Sequence, residues 1–336
     1  MYILGIETSC DDTAAALVTQ RGGRFVVERS CVSSQIDIHK IYGGVVPEIA
    51  GRKHADSIIP VIREALGNTR PDAIAVTAGP GLVTSLVVGV EAARALSYAW
   101  GGVPIVRTNH IEGHIYSTLL GETAPTEIAF PAMALIVSGG HTELILMRGH
   151  GDYTLIGRTR DDAVGECFDK AAKVMGLEYP GGPKISKLAL EGKRDAIAFP
   201  RPMKTSDDFD FSFAGLKTSV LYYLRDNPTA NHADVCASFE QAVTDVLVAK
   251  TVRAAQEYNT ASVILSGGVS ANRYLREGLR AALVRELPEC AVLIPELQYT
   301  TDNAAMIAAA GWFHAQNKDY TQWSAITADP AWELVN

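Results

Sequence analysis

Apolar and polar positions along the chain predict strands first and helices afterwards, and the order occurs twice. Apolar residues dominate YILGIE (2–7); a polar turn, TSCDD, follows, then a second strand, TAAALV. After the turn signal Arg21-Gly22-Gly23 comes a third candidate strand, RFVVERSCV. Near Pro47 the apolar spacing becomes helical, in EIAGRKHADSIIPVIREAL. The strand DAIAVT, the loop AGPG and a long helix from Leu82 come next, and the short strand PIVRT delivers His110 to the start of another helix.

The second half repeats that order. AMALIV meets the turn SGGHT, then ELILMR and a third strand near YTLIGRT. Helical segments fill 163–257, SVILS meets the loop GGVSAN and a helix near Arg273, and AVLIP leads to Asp302 at the start of the final helix. The repeat predicts a duplicated α/β fold in two lobes, with equivalent ends of the two copies facing one cleft. The expected boundaries are 1–125 for the N-terminal lobe, completed by a C-terminal helix at 303–325, and 126–302 for the C-terminal lobe, with 163–257 as a helical insertion.

A chain of 336 residues is long enough for two such lobes. The most apolar long run, Leu82 to Trp100, carries Gly89, Glu91 and Arg94, so it reads as a buried helix rather than a membrane span. The start, MYILGIETSCDDT, lacks a basic secretory signature, and five cysteines without a CxxC pair argue against a disulfide framework or a cysteine zinc site. A cytoplasmic protein is expected. The net charge of −8 disfavours indiscriminate nucleic-acid binding.

Four short loops have the character of phosphate cradles: Thr8-Ser9-Cys10-Asp11, Ala78-Gly79-Pro80-Gly81, Ser138-Gly139-Gly140-His141 and Gly267-Gly268-Val269-Ser270. Each alone reads first as a tight turn, but four at matching places in the two halves point beyond that; none fits the P-loop or dinucleotide fingerprints. His110 and His114 in NHIEGH stand four residues apart, on one face of a helix, where both imidazoles can reach one metal. Chance spacing of two structural histidines is the competing reading. Glu112 lies about 200° around the helix from His110, so the HExxH protease arrangement does not form. Asp302 would supply a third ligand, giving two histidines and one carboxylate, which suits iron(II) or zinc.

Asp161, Asp162, Glu166 and Asp169 crowd TRDDAVGECFDK; the first two read as a solvated helix start, whereas Asp169 could face a ligand. Cys10 and Cys167 flank polar turns without an evident histidine partner, so neither reads as a nucleophile. Lys184, Lys187, Lys193, Arg194, Arg201 and Lys204 form a basic concentration that reads as solvated surface or as an RNA-backbone contact.

GIETSCDDT, YGGVVPEIA, TAGPGL, NHIEGH, VSGGHTEL, DKAAKVMGLEYPGGP, FPRP, FSFAGLKT, GGVSANRYLR and TDNAAMIA together resemble the motifs of the TsaD/Kae1/Gcp family, the tRNA N6-adenosine threonylcarbamoyltransferases. The resemblance implies a duplicated actin-like ATPase fold of the Hsp70 and sugar-kinase superfamily, with two lobes around a nucleotide and metal cleft. It implies His110, His114 and Asp302 as ligands of one divalent metal, Fe(2+) in preference to Zn(2+). It implies a site for an adenylate or ATP-type nucleotide at Ile136, Val137, Ser138, Gly139 and Gly140 with Asp169, Gly182 and Asn272. Ser186 stands where some members carry Asp.

The implied reaction moves a threonylcarbamoyl group from threonylcarbamoyl-adenylate to N6 of adenosine 37 in tRNAs reading ANN codons, releasing AMP. The leaving phosphate or Asp11 would take the amine proton. The implied partners are tRNA, TsaB-like and TsaE-like proteins, and a TsaC/Sua5-like enzyme that supplies the adenylate. Two other classes compete: a sugar-kinase-like phosphotransferase, which would not need the histidine pair, and an ATP-binding scaffold without chemistry, which the intact triad opposes.

Overall fold

A computed structural model describes residues 1–335. Strands β1 (Tyr2–Glu7), β2 (Asp12–Arg21) and β3 (Arg24–Ser34) lead to helices α1 (Ile36–Lys40) and α2 (Pro47–Leu66). Next come β4 (Ala73–Gly79), α3 (Val83–Ala99), β5 (Ile105–Asn109) and α4 (His110–Tyr116). The repeat opens with β6 (Ala132–Val137), β7 (Thr142–Gly149) and β8 (Asp152–Arg158), followed by α5 (Val164–Val174), α6 (Gly181–Ala189), α7 (Ala214–Asp226) and α8 (His232–Glu257). The chain continues through β9 (Ser262–Ser266), α9 (Arg273–Glu286), β10 (Ala291–Leu293) and α10 (Ala304–Gln316).

The strand orders are β3-β2-β1-β4-β5 and β10-β9-β6-β7-β8. Substituting β6–β10 for β1–β5 turns one order into the other. In both sheets the first three strands are antiparallel, the fourth pairs parallel with the first, and the fifth parallel with the fourth. Parallel pairs need crossovers, and α2 and α3 supply them in the first sheet, as α5–α8 and α9 do in the second. The duplication read from the residue pattern is therefore present in the topology.

The chain divides into two compact units, one made of Met1–Glu127 with the chain from Pro295 onward, the other of Ile128–Ile294. Residues 295–302, expected in the C-terminal lobe, belong to the first unit, and Asp302 goes with them. Packing of α10 is the cause. The helix is alanine-rich and buried along Ala304–Gly311. A Cβ on Gly5 of β1 would overlap the Ala304 carbonyl, and one on Gly311 would overlap Ala75 of β4. Small residues on both partners thus let the helix lie directly on the first sheet.

On the opposite face of that sheet, Ile58, Val61, Ile62 and Ala65 of α2 pack with Leu4, Ile6, Leu17 and Ile74. Pro47 sits at the start of α2, where its missing N–H costs nothing. In the second unit Leu135 and Val137 of β6 share a core with Phe168 of α5 and Phe239 of α8, whose rings meet edge to face at 5.1 Å. Beyond α10 the chain returns along the first sheet: Thr321 bridges Ile105, Ile326 is buried, and the Asp329 N–H donates to the Ala78 carbonyl at 2.7 Å. Among the described residues, no helix is long and apolar enough to cross a membrane.

Candidate metal centre and nucleotide loops

In the first unit, β5 ends at Asn109, whose side chain accepts a hydrogen bond from the Ile111 N–H at 2.8 Å and so starts α4. Both following histidines are buried, with ring centroids 4.7 Å apart. At the start of α10, Asn303 caps the helix through the Met306 N–H, and Asp302 stands immediately before it. Asp302 Oδ1 lies 3.3 Å from His114 Nε2 and 3.6 Å from His110 Nε2. The three residues bring one ligand atom each within 4.8 Å of one another.

These separations suit a cation. Tetrahedral bonds of about 2.0–2.1 Å put neighbouring ligand atoms about 3.3–3.4 Å apart. Both ring nitrogens of His114 are buried and neither has a hydrogen-bond partner of proper geometry, a costly state unless something else binds there. Glu112 points elsewhere: its carboxylate accepts from His314 Nε2 on α10 at 2.8 Å, which removes it as a base beside the triad and ties α4 to α10.

The electrostatics are uneven. Burial alone would lower the His110 pKa, but Asp302 and Glu7 outweigh it and raise it to about 9. His114 moves the other way, lowered chiefly by burial and also by the charge on His110, against Asp302. Asp11 is pushed up by burial and by Asp302, and Asp12 rises to about 7 through burial with Asp11, Asp302 and Glu7 nearby. A crowd of acids that raise one another's pKa is the environment a divalent ion relieves.

Glu7, the last residue of β1, lies inside the GIETSCDDT motif, which assigns it no role. It is fully buried, accepts from Thr77 Oγ1 at 2.6 Å and from the Ser9 N–H, and lies 3.2 Å from His110 Nδ1. Burial would raise its pKa, yet the His110 charge and these hydrogen bonds leave it below the ordinary value. A carboxylate closing an apolar strand was the available signal.

Two of the four loops belong to the first unit. In Thr8-Ser9-Cys10-Asp11 the Ser9 N–H turns back to Glu7. Over Ala78-Gly79-Pro80-Gly81 runs the C-terminal segment: Gly81 N–H donates to the Pro330 carbonyl, and a Cβ on Gly79 would overlap the Asp329 carbonyl. That overlap is the reason for glycine there, not ligand approach.

The two loops of the second unit differ. Ser138-Gly139-Gly140-His141 is a tight turn closed by Ser138 N–H to His141 O at 2.9 Å and His141 N–H to Ser138 Oγ at 3.0 Å. The Cβ positions of Gly139 and Gly140 meet nothing within 4 Å. Ile136 and Val137 end the buried strand leading to this turn. Gly267 has φ +91°, and a Cβ there would overlap the Val137 carbonyl, so it must be glycine. Parallel pairing of β6 with β9 brings the two loops together at the carboxyl ends of their strands, where ligands of open α/β sheets bind.

Asp169 on α5 accepts the Gly181 N–H at 2.7 Å beside Gly182, its pKa raised by burial. Asn272 caps α9 through the Leu275 N–H, and its amide donates to Ser186 Oγ at 2.9 Å and to buried Glu240 at 2.7 Å. Ser186 therefore touches Asn272 directly. The basic concentration splits: Arg194 pairs with Glu240 and Arg201 with Asp245, while Lys184, Lys187, Lys193 and Lys204 are exposed. Burial pushes the Cys10 thiol well up and Cys167 to about 12, so both are poor nucleophiles.

The family model for "tRNA N6-adenosine threonylcarbamoyltransferase" matches residues 27–309. A protein of that name from Anaeromyxobacter sp. (strain Fw109-5) is 50% identical over 342 residues, spanning 99% of this chain and 100% of that one. The chain belongs to the tRNA N6-adenosine threonylcarbamoyltransferase family. It is a transferase. Solved structures agree on the fold: HypF from T. kodakarensis matches with TM-score 0.63 at 14% identity, covering 97% of this chain and 49% of that one. A ROK family glucokinase from Streptomyces griseus matches with TM-score 0.51 at 13% identity, covering 94% and 100%. The fold is that of actin-like ATPases and sugar kinases, as the resemblance of motifs implied.

Proposed function

We propose that this transferase moves a threonylcarbamoyl group from threonylcarbamoyl-adenylate to N6 of adenosine 37 in tRNAs reading ANN codons. The reading rests on one observation above the others: a chain of this family brings His110, His114 and Asp302 within 4.8 Å, with His114 otherwise unpartnered. These three residues would hold a divalent ion, iron(II) by preference or zinc, which when bound supplies positive charge that polarises the carbonyl under attack.

The remaining work falls to the chain's own groups. Gly139 and Gly140 leave room for a phosphate against backbone. Ile136, Val137 and Ser138 fix that turn, and Asp169, Gly182 and Asn272 hold the nucleoside portion of the adenylate. N6 of adenosine is a weak nucleophile, its lone pair delocalised into the ring, so positioning supplies much of the acceleration. The new C–N bond forms as the C–O bond to phosphate breaks, and AMP leaves with that electron pair. Asp11, its carboxyl pushed above the ordinary range, is suited to take the amine proton; the leaving phosphate is the alternative acceptor.

A base in the anticodon loop can be unstacked and presented without opening a duplex. With a net charge of −8, tRNA binding would draw on partners, TsaB-like and TsaE-like, in the cytoplasm, with the adenylate supplied by a TsaC/Sua5-like enzyme. The test combines the protein, those partners, synthetic threonylcarbamoyl-adenylate and unmodified tRNA, with nucleoside mass spectrometry as readout. Modified adenosine that requires this chain supports the reading; none, or the same yield without the chain, rejects it.

A further inference from the structure

We propose that Glu7 is the positioning residue of the candidate metal centre, holding the His110 proton on Nδ1 so that Nε2 is the ligating atom. The proposal rests on the metal reading above and extends it to a residue that reading does not use. Its basis is how Glu7 is held. Each carboxylate oxygen already accepts from a fixed donor, Oε1 from the Ser9 N–H and Oε2 from Thr77 Oγ1 at 2.6 Å. Oriented as an acceptor on both sides, Oε2 lies 3.2 Å from His110 Nδ1, and only a protonated Nδ1 makes that contact favourable.

The other ring nitrogen, Nε2, then carries the lone pair, and it is the atom facing Asp302 Oδ1 at 3.6 Å. Carboxylate, imidazole and cation site thus stand in line, the arrangement that fixes tautomer and raises ligand basicity in metal-binding histidines. Charge points the same way. Two neutral histidines and Asp302 around a divalent ion leave one positive charge, and among the nearby carboxylates Glu7 is the fully buried one in contact with His110 that can offset it. Ser9 Oγ also approaches His110 Nδ1, at 3.1 Å, but a hydroxyl can donate or accept and so cannot select the tautomer.

Zinc alone is the probe, titrated into metal-free full-length protein against a competing chelator. We expect Glu7→Gln to weaken zinc about 10–100-fold and Ser9→Ala to stay within about threefold. In zinc-loaded wild type carrying 15N-histidine, the His110 nitrogen shifts should show a protonated Nδ1 and a metal-bound Nε2. Zinc on Nδ1 would overturn the proposal, and this measurement stands even where Glu7→Gln fails to fold. Affinity of Glu7→Gln within about twofold of wild type, in a preparation where His114→Ala loses zinc, overturns it while leaving the metal reading intact. Equal zinc binding by wild type and the His110→Ala/His114→Ala variant rejects the metal reading, and this proposal with it.

Discussion

The corresponding ends of the two sheets have the same strand order but are finished with different chemistry. After β1 and β4 the first unit closes its loops on itself: the Ser9 N–H goes to Glu7, and the C-terminal segment lies over Ala78–Gly81. What this end offers is side chains, two imidazoles and several carboxylates. After β6 and β9 the second unit keeps Gly139 and Gly140 clear of any neighbour that a Cβ would meet, and it offers backbone. A duplicated scaffold can thus present clustered side chains at one end and open backbone at its counterpart, the proposed cation and anion sites, because loops and not strands decide which groups are left over.

The sharpest way to break this contrast is to remove the proposed cation ligands. His110→Ala/His114→Ala should lower tRNA modification by at least about 100-fold and abolish stoichiometric metal by mass spectrometry. Modification that persists undiminished removes the cation from the first unit's role.

The two kinds of glycine in the second unit sharpen it next. Gly267→Ala forces a side chain into the Val137 carbonyl at φ +91° and should cost about 2–4 kcal/mol in chemical unfolding. Gly139→Ala, with open space, should change stability by no more than about 0.5 kcal/mol yet weaken adenylate binding. Unchanged binding in Gly139→Ala would mean that turn is only a turn.

Asn272→Ala removes a helix cap and a donor to buried Glu240, and should destabilise by about 1–2 kcal/mol. Adenylate binding should fall more than tRNA binding; equal losses in calorimetry would confine Asn272 to its structural contacts.

The smallest effect tests the tie between α4 and α10. Glu112 and Asp319 outweigh burial and raise the His314 pKa to about 9. A raised folded-state value means the stabilisation is full below the unfolded value of 6.5 and is lost as pH rises through about 9. Stability should fall by roughly 1–2 kcal/mol across that window in wild type, and His314→Gln should flatten the slope. An equal slope in both proteins would place the titration elsewhere.

Much of this was legible along the chain. YILGIE and AMALIV coincide with β1 and β6, residue for residue, because a buried strand is written as a continuous apolar run. His110 and His114 share a face by helical pitch alone, and the same pitch turned Glu112 away, toward His314. Three other features were not legible. The first unit's loop Ala78–Gly81 looked like the glycine loops of the second, since a loop's composition does not say which distant segment will cover it. Glu7, although inside GIETSCDDT, gave no sign of its contact with His110, and Asp302 was expected from the other lobe.

Local periodicity and turn chemistry, then, were enough for the elements, the duplication and the paired imidazoles, all of which depend on neighbours within a few residues. Which unit receives Asp302 depended instead on Gly5 and Gly311 letting α10 settle on the first sheet. The placement of Glu7 behind His110 likewise spans 103 positions. Contacts at such separations are chosen by close packing and by the cost of leaving buried polar groups unpaired, and neither can be evaluated until the chain has folded.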